Sequence, residues 1–187
     1  MTESDIESVC FSEDRIAEIV HRLAEKIRYD FKSIVSPQHP LVLVGILKGS
    51  YVFLSDLSRA LKDVPHVVDF MTVSSYHGCT STNNVKILSD LRQTIEGKHT
   101  IVVEDIVDTG LTLQSLLNIL KTRNPASLRL CTLLQKPYQK VADVTVDYYG
   151  QHIGPEFVVG YGLDYNELFR NLPYIGILKK EAIERYK

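Results

Sequence analysis

The sequence predicts an α/β fold, a mainly parallel twisted sheet flanked by helices, on three observations. Four apolar runs of strand length, Leu41 to Leu47, Val67 to Val73, Thr100 to Val103 and Ser127 to Leu134, read as buried strands. Helical three-four patterns follow the first and third of them, as crossover connections between parallel strands require. The 187 residues, 44% of them hydrophobic, supply a sizeable core for one domain without staples.

Taken in order, Ser12 can cap a helix running to about Phe31, because Ile16, Ile19, Val20, Leu23, Ala24 and Ile27 recur at helical spacing and Glu13 and Asp14 fall in its first turn. Pro37 and Pro40 end the connection to the strand LVLVGIL. Lys48-Gly49-Ser50 then turns into a helix carrying Phe53, Leu54, Leu57 and Leu61. After the second strand, SSYHGCTSTNN (Ser74 to Asn84) is polar and turn-rich, a loop long enough to be a lid or simply disordered. Val85 to Leu88 reads as a short strand. Leu113, Leu116, Leu117 and Leu120 form the inner face of the helix after the third long strand. Beyond Pro137 come short alternating strands, Val144 to Tyr148 and Phe157 to Val159, then the loop GYGLDYNELFRNLPY. The tail KKEAIERYK reads as a mixed-charge solvated end.

Composition narrows the function. With 21 basic and 23 acidic side chains the net charge is -2, so no basic excess favours nucleic acid or an anionic membrane, and neither is expected as a partner. Cys10, Cys79 and Cys131 form no CxxC pair and read as structural or incidental thiols of a reducing compartment. The opening MTESDIESVC is acidic where a secretory signal is basic and apolar, and no run nears the ~18 apolar residues of a membrane span. A cytoplasmic location is expected.

The chemistry concentrates in IVVEDIVDTGLTL, Ile101 to Leu113. An apolar strand there delivers Glu104 and Asp105 to its carboxyl end, the edge where open α/β sheets bind ligands. Asp108-Thr109-Gly110-Leu111-Thr112 follows, with Gly110 permitting a tight turn and two hydroxyls beside helix amides, a cradle for one phosphate monoester. Neither GxxxxGK[ST] nor GxGxxG is present, which disfavours nucleotide hydrolysis and dinucleotide binding. An ordinary helix cap at Asp108 or Thr109 explains one acid but not Glu104 and Asp105. Two acids beside a phosphate cradle repel an anion unless a cation or ribose hydroxyls mediate, and a sugar phosphate with bound magnesium satisfies all of them.

VVEDIVDTG resembles the phosphoribosyl diphosphate signature of the type I phosphoribosyltransferases, and the likeness spans nearly the whole chain. Leu47-Lys48-Gly49-Ser50 is similar to that family's pyrophosphate loop, Ser75-Tyr76 to the start of its mobile lid, and Val85 to Leu88 to the strand behind the lid. Lys136-Pro137 and FVVGYGLDY followed by Phe169-Arg170 resemble the purine-binding segment of its members that act on 6-oxopurines. The resemblance implies that family's fold with a small hood, built from parts of the N-terminal and C-terminal segments, within a single domain over residues 1–187. It also implies Mg2+ and a homodimer or homotetramer.

Residue by residue, the resemblance has Glu104 and Asp105 holding the ribose hydroxyls directly or through magnesium, and Asp108 beside the purine N7 as general base. Thr109, Gly110, Leu111 and Thr112 bind the 5-phosphate, although some relatives have a Lys where Leu111 stands. Lys48 and Gly49 bring amides to the pyrophosphate, with a non-proline cis bond often found here in relatives, at Lys48–Gly49 by this reading. Ser75 and Tyr76 approach the pyrophosphate from the lid, and Arg170 grips it. Lys136 reads the purine 6-oxo group, Phe157 stacks on the base, the Val158 main chain reaches its edge, and Asp164, placed with the purine segment, binds a second magnesium or its water shell. The implied reaction is transfer of a 5-phosphoribosyl group from phosphoribosyl diphosphate to hypoxanthine and/or guanine. A xanthine- or guanine-selective enzyme, and a non-catalytic sensor of phosphoribosyl diphosphate with the same fold, are the alternatives.

Overall fold

The computed structural model describes residues 3–75, 85–138 and 141–187. Its larger sheet has six strands: β2 (Leu41–Leu47), β3 (His66–Ser75), β4 (Val85–Ser89), β5 (His99–Val107), β6 (Ser127–Gln135) and β7 (Tyr148–His152), in the order β4-β3-β2-β5-β6-β7. All neighbours are parallel except β3 and β4. Alternate side chains of the central strands enter two cores. Leu41, Leu43, Ile101, Val103, Cys131 and Leu133 pack with α1 (Glu13–Phe31) and α2 (Tyr51–Ala60). Val42, Val44, Val102 and Leu130 pack with Leu113, Leu116 and Leu120 of α3 (Leu111–Lys121). This two-sided burial is why the strands read as continuous apolar runs rather than alternating ones.

α1 begins where expected: the Ser12 side chain accepts from the Arg15 amide at 3.3 Å, and the apolar stripe from Ile16 to Phe31 is buried. Two strand readings need correction. β5 does not stop at Val103 but continues to Val107, because β6 offers backbone partners along the same length, pairing Glu104 with Thr132 and Val107 with Gln135. Glu104 and Asp105 therefore lie within a strand, held by its ladder. The strand placed at Val144 to Tyr148 instead starts at Tyr148, as β7; Val144 precedes it as irregular chain and is buried against α3's core.

A second sheet of three strands joins the two ends of the chain: β1 (Ile6–Phe11), β9 (Ile175–Leu178) and β8 (Val158–Val159), in the order β1-β9-β8, all antiparallel. The acidic opening and the segment after Pro173 carried no readable strand signal of their own. The tail, expected to be solvated, forms α4 (Lys180–Arg185), with Ala182 buried beside Val159, Phe169 and Leu178. No helix among the described residues is long and apolar enough to cross a membrane.

Candidate active site

The carboxyl edge of β5 holds two partly buried acids, Glu104 and Asp105. Asp105 Oδ1 accepts from the Ile106 amide at 2.9 Å. Burial pushes its carboxyl up to about 6, against opposing backbone hydrogen bonds and the nearby Arg170 charge. Glu104 is pushed well above the ordinary carboxylate range, first by burial and then by the Asp105 charge. Its Oε2 is buried with no hydrogen-bond partner among the described residues. An orphaned buried carboxylate oxygen is costly unless a ligand completes it.

Next along the chain, Gly110 takes the left-handed conformation, φ 78°, and occupies the N-cap of α3 without any side-chain cap bond. Asp108 and Thr109 precede the N-cap position, and both are exposed at the mouth of the helix. The Thr109 carbonyl accepts from the amides of Val141 and Ala142, both at 3.0 Å, and Ala142 and Val144 lie 3.5 Å from where a Gly110 Cβ would stand. The turn is thus braced from behind by the segment before β7. Leu111 packs against the α3-side core, so its side chain serves packing, and the cradle is left with backbone amides and the Thr109 and Thr112 hydroxyls.

Lys136 stands just past β6, its amide donating to the Val107 carbonyl at 2.9 Å. It is only 8% exposed, and its Nζ lies 4.0 Å from Asp108 Oδ2, a distance long for a hydrogen bond. A near-buried ammonium thus faces an exposed carboxylate. Phe157 is half-exposed and meets Tyr165 edge-on at 5.5 Å, while Val158 is buried in the small sheet.

The other wall joins distant loops. A Cβ on Gly49 would fall 1.7 Å from Asp105 Oδ2, and one on Gly162 would fall 2.2 Å from the Gly49 carbonyl oxygen. Only residues without side chains permit this stack of Asp105, Gly49 and Gly162. Arg170 Nη1 donates to the Gly162 carbonyl at 2.8 Å, and its Nη2 pairs with Asp164 Oδ1 at 2.9 Å and Glu167 Oε2 at 3.4 Å. Lys48 Nζ reaches the same Glu167 oxygen at 2.9 Å. The cis peptide is Leu47–Lys48, one bond before the one suggested by resemblance.

The expected site residues therefore gather in two groups, Lys136 with Asp108 and Lys48, Gly49, Asp105, Asp164 and Arg170 together. Asp164 sits with Arg170; its neighbour Tyr165 is the residue that touches Phe157. Ser75 ends β3, paired with Val85, whereas Tyr76 and the rest of the loop to Asn84 lie outside the described residues. Glu167 was not anticipated. Its signal was present in the string DYNELFR, where Asn166, Glu167 and Phe169 all take positive φ, the Glu167 amide donates to Asp164 Oδ2 and the Glu167 carboxylate meets Arg170.

No cluster of three metal-ligating side chains occurs among the described residues. Glu104 and Asp105 nonetheless fit magnesium, which binds through one or two carboxylates and completes its shell with water and substrate phosphate oxygens. The unpartnered Glu104 oxygen is a hard donor of the required kind.

The model of the phosphoribosyl transferase domain matches residues 12–166. A hypoxanthine-guanine phosphoribosyltransferase of Staphylococcus epidermidis is 48% identical over 182 residues, 97% of this chain and 98% of that protein. The crystal structure of a Staphylococcus aureus hypoxanthine phosphoribosyltransferase superposes with a TM-score of 0.88 at 46% identity, covering 95% of this chain and 94% of the other. A Trypanosoma cruzi hypoxanthine phosphoribosyltransferase in complex with the product IMP gives a TM-score of 0.91 at 42% identity, covering 97% and 98%. With the sheet edge, the Gly110 cradle and these matches in agreement, the chain belongs to the phosphoribosyl transferase domain family.

Proposed function

We propose that this chain is a purine salvage enzyme, transferring a 5-phosphoribosyl group from phosphoribosyl diphosphate to hypoxanthine and/or guanine to give IMP or GMP and pyrophosphate. The observation that carries the reading is the near-buried Lys136 ammonium 4.0 Å from Asp108, directly beyond the two interior acids of β5. A fixed ammonium rewards a 6-oxo group and rejects an exocyclic amine, since adenine would leave two buried donors facing each other.

The proposed roles are consistent with the arrangement. Thr109 to Thr112 hold the 5-phosphate by amides and hydroxyls at the start of α3. Glu104 and Asp105 accept from the ribose hydroxyls or hold Mg2+, and Asp164 addresses a second ion's water shell. When bound, magnesium neutralises charge on the donor's phosphate oxygens. Lys48, Gly49 and Arg170 orient the pyrophosphate, with Ser75 and Tyr76 near it. Phe157 and the Val158 main chain place the base so that Asp108 takes the N7 proton as the anomeric bond breaks. The transition state is oxocarbenium-like, and keeping water from that carbon is the task assigned to the segment after Ser75, up to Asn84.

The chain acts as one domain, the three-stranded sheet serving as the hood over the purine. It works in the cytoplasm as a homodimer or homotetramer. Val68 and Phe70 of β3, each 38% exposed, are apolar side chains that a second copy would cover. The test is incubation with magnesium, phosphoribosyl diphosphate and each of hypoxanthine, guanine, xanthine and adenine. Product from hypoxanthine or guanine is expected; product from adenine alone would overturn the assignment, and product from xanthine and guanine without hypoxanthine would select the rival enzyme.

A further inference from the structure

Glu167 has no part in the reaction as described, yet one of its oxygens lies between the two cations of the pyrophosphate side. Oε2 is 2.9 Å from Lys48 Nζ and 3.4 Å from Arg170 Nη2. Arg170 does not need it for charge balance, because Asp164 already pairs with the same guanidinium nitrogen at 2.9 Å. We propose that Glu167 is an internal competitor for pyrophosphate: in the unliganded protein its carboxylate occupies the cations that the diphosphate must engage, and it is expelled when that anion binds. The proposal rests on the assignment of Lys48, Gly49 and Arg170 to pyrophosphate, and adds the Lys48 ammonium to its amide as a partner of that anion.

The geometry suits a removable plug. The Glu167 side chain is 62% exposed, so it can swing into water with little desolvation. Its backbone is pinned, the amide donating to Asp164 Oδ2 at 2.8 Å and the preceding Asn166 donating through Nδ2 to the Tyr186 carbonyl. Only the side chain has to move. Its carboxyl is held below the ordinary range, first by the Lys48 hydrogen bond, so it stays anionic wherever the enzyme would work. A competitor of this kind weakens donor binding and hastens release of the pyrophosphate product. A carboxylate that merely oriented Lys48 for the ligand would do the reverse.

The test is calorimetric titration of inorganic pyrophosphate, with saturating magnesium, into the full chain and into Glu167→Gln, Lys48→Met and the double variant. Gln keeps the length and the backbone preference while removing the charge. Glu167→Gln is expected to bind about two- to fivefold more tightly than the parent, the range of one exposed ion pair. Most of that gain should vanish in the Lys48→Met background. Equal or weaker binding by Glu167→Gln overturns the proposal, as does a gain that is the same with and without Lys48, which would report only net charge. Absence of saturable binding in all four proteins would instead remove the pyrophosphate assignment beneath it.

Discussion

Replacing Asp105 with Asn should make the unliganded protein more stable while disabling it. In the folded chain burial pushes the Asp105 carboxyl to about 6, against ~3.9 for an Asp in an unfolded chain. Between those values the folded protein keeps a proton that the unfolded chain has released, so stability falls as pH rises through the window and stays reduced above it. At ~1.4 kcal/mol for each pH unit of difference, ionised Asp105 costs the fold about 3 kcal/mol at neutral pH. Asn cannot ionise, and its amide oxygen can still accept from the Ile106 amide as Oδ1 does at 2.9 Å. The Asp105 charge also raises Glu104, so its removal relieves that residue as well. Urea denaturation in EDTA without substrate, at pH 4 to 8, measures the difference. The two proteins should match near pH 4 and diverge by about 2–3 kcal/mol by pH 7, with the variant above. Parallel stability curves across that range would refute the argument that this acid is kept at a cost to the fold for the sake of ligand.

Asp108→Asn should lower turnover with hypoxanthine by about 10²- to 10⁴-fold, while phosphoribosyl diphosphate binding, followed by calorimetry, is little changed; equal turnover would remove the general-base role. Gly49→Ala places a methyl 1.7 Å from Asp105 Oδ2, and should cost about 1–3 kcal/mol in denaturation together with most of the affinity for the donor.

Legibility in the sequence followed burial on both faces. β2 and β6 announced themselves as apolar runs because both their faces are buried, β3 because it is rich in apolar residues although Val68 and Phe70 stay exposed, and α1 because its stripe at Ile16, Ile19, Val20 and Leu23 is buried as spaced. β5 was read short because Glu104 and Asp105 end the apolar run, while its true length is set by hydrogen bonds to β6 that local sequence does not carry. β1 is mostly exposed and gains its conformation only by pairing Ile6 with Leu178 and Phe11 with Ile175. In the site, the acids and the Gly110 turn were visible as residue types in order. The close stack of Gly49 and Gly162, 113 residues apart, and the reach of Glu167 to Lys48 depend on loop packing and had no local signature.

The sheet that unites the chain's two ends has a bearing on the order of folding. Every strand pair of the six-stranded sheet can form once residue 152 is available, whereas β1 must wait for β9, some 165 residues later in the chain, before it has a partner. Contacts of such separation carry the largest loop-closure cost and belong to the late steps of assembly. In a chain made from its amino end, the phosphate cradle and the β5 acids can be in place while the strand beside Phe157 is still unpaired. The half that grips the sugar would then mature before the half that selects the base.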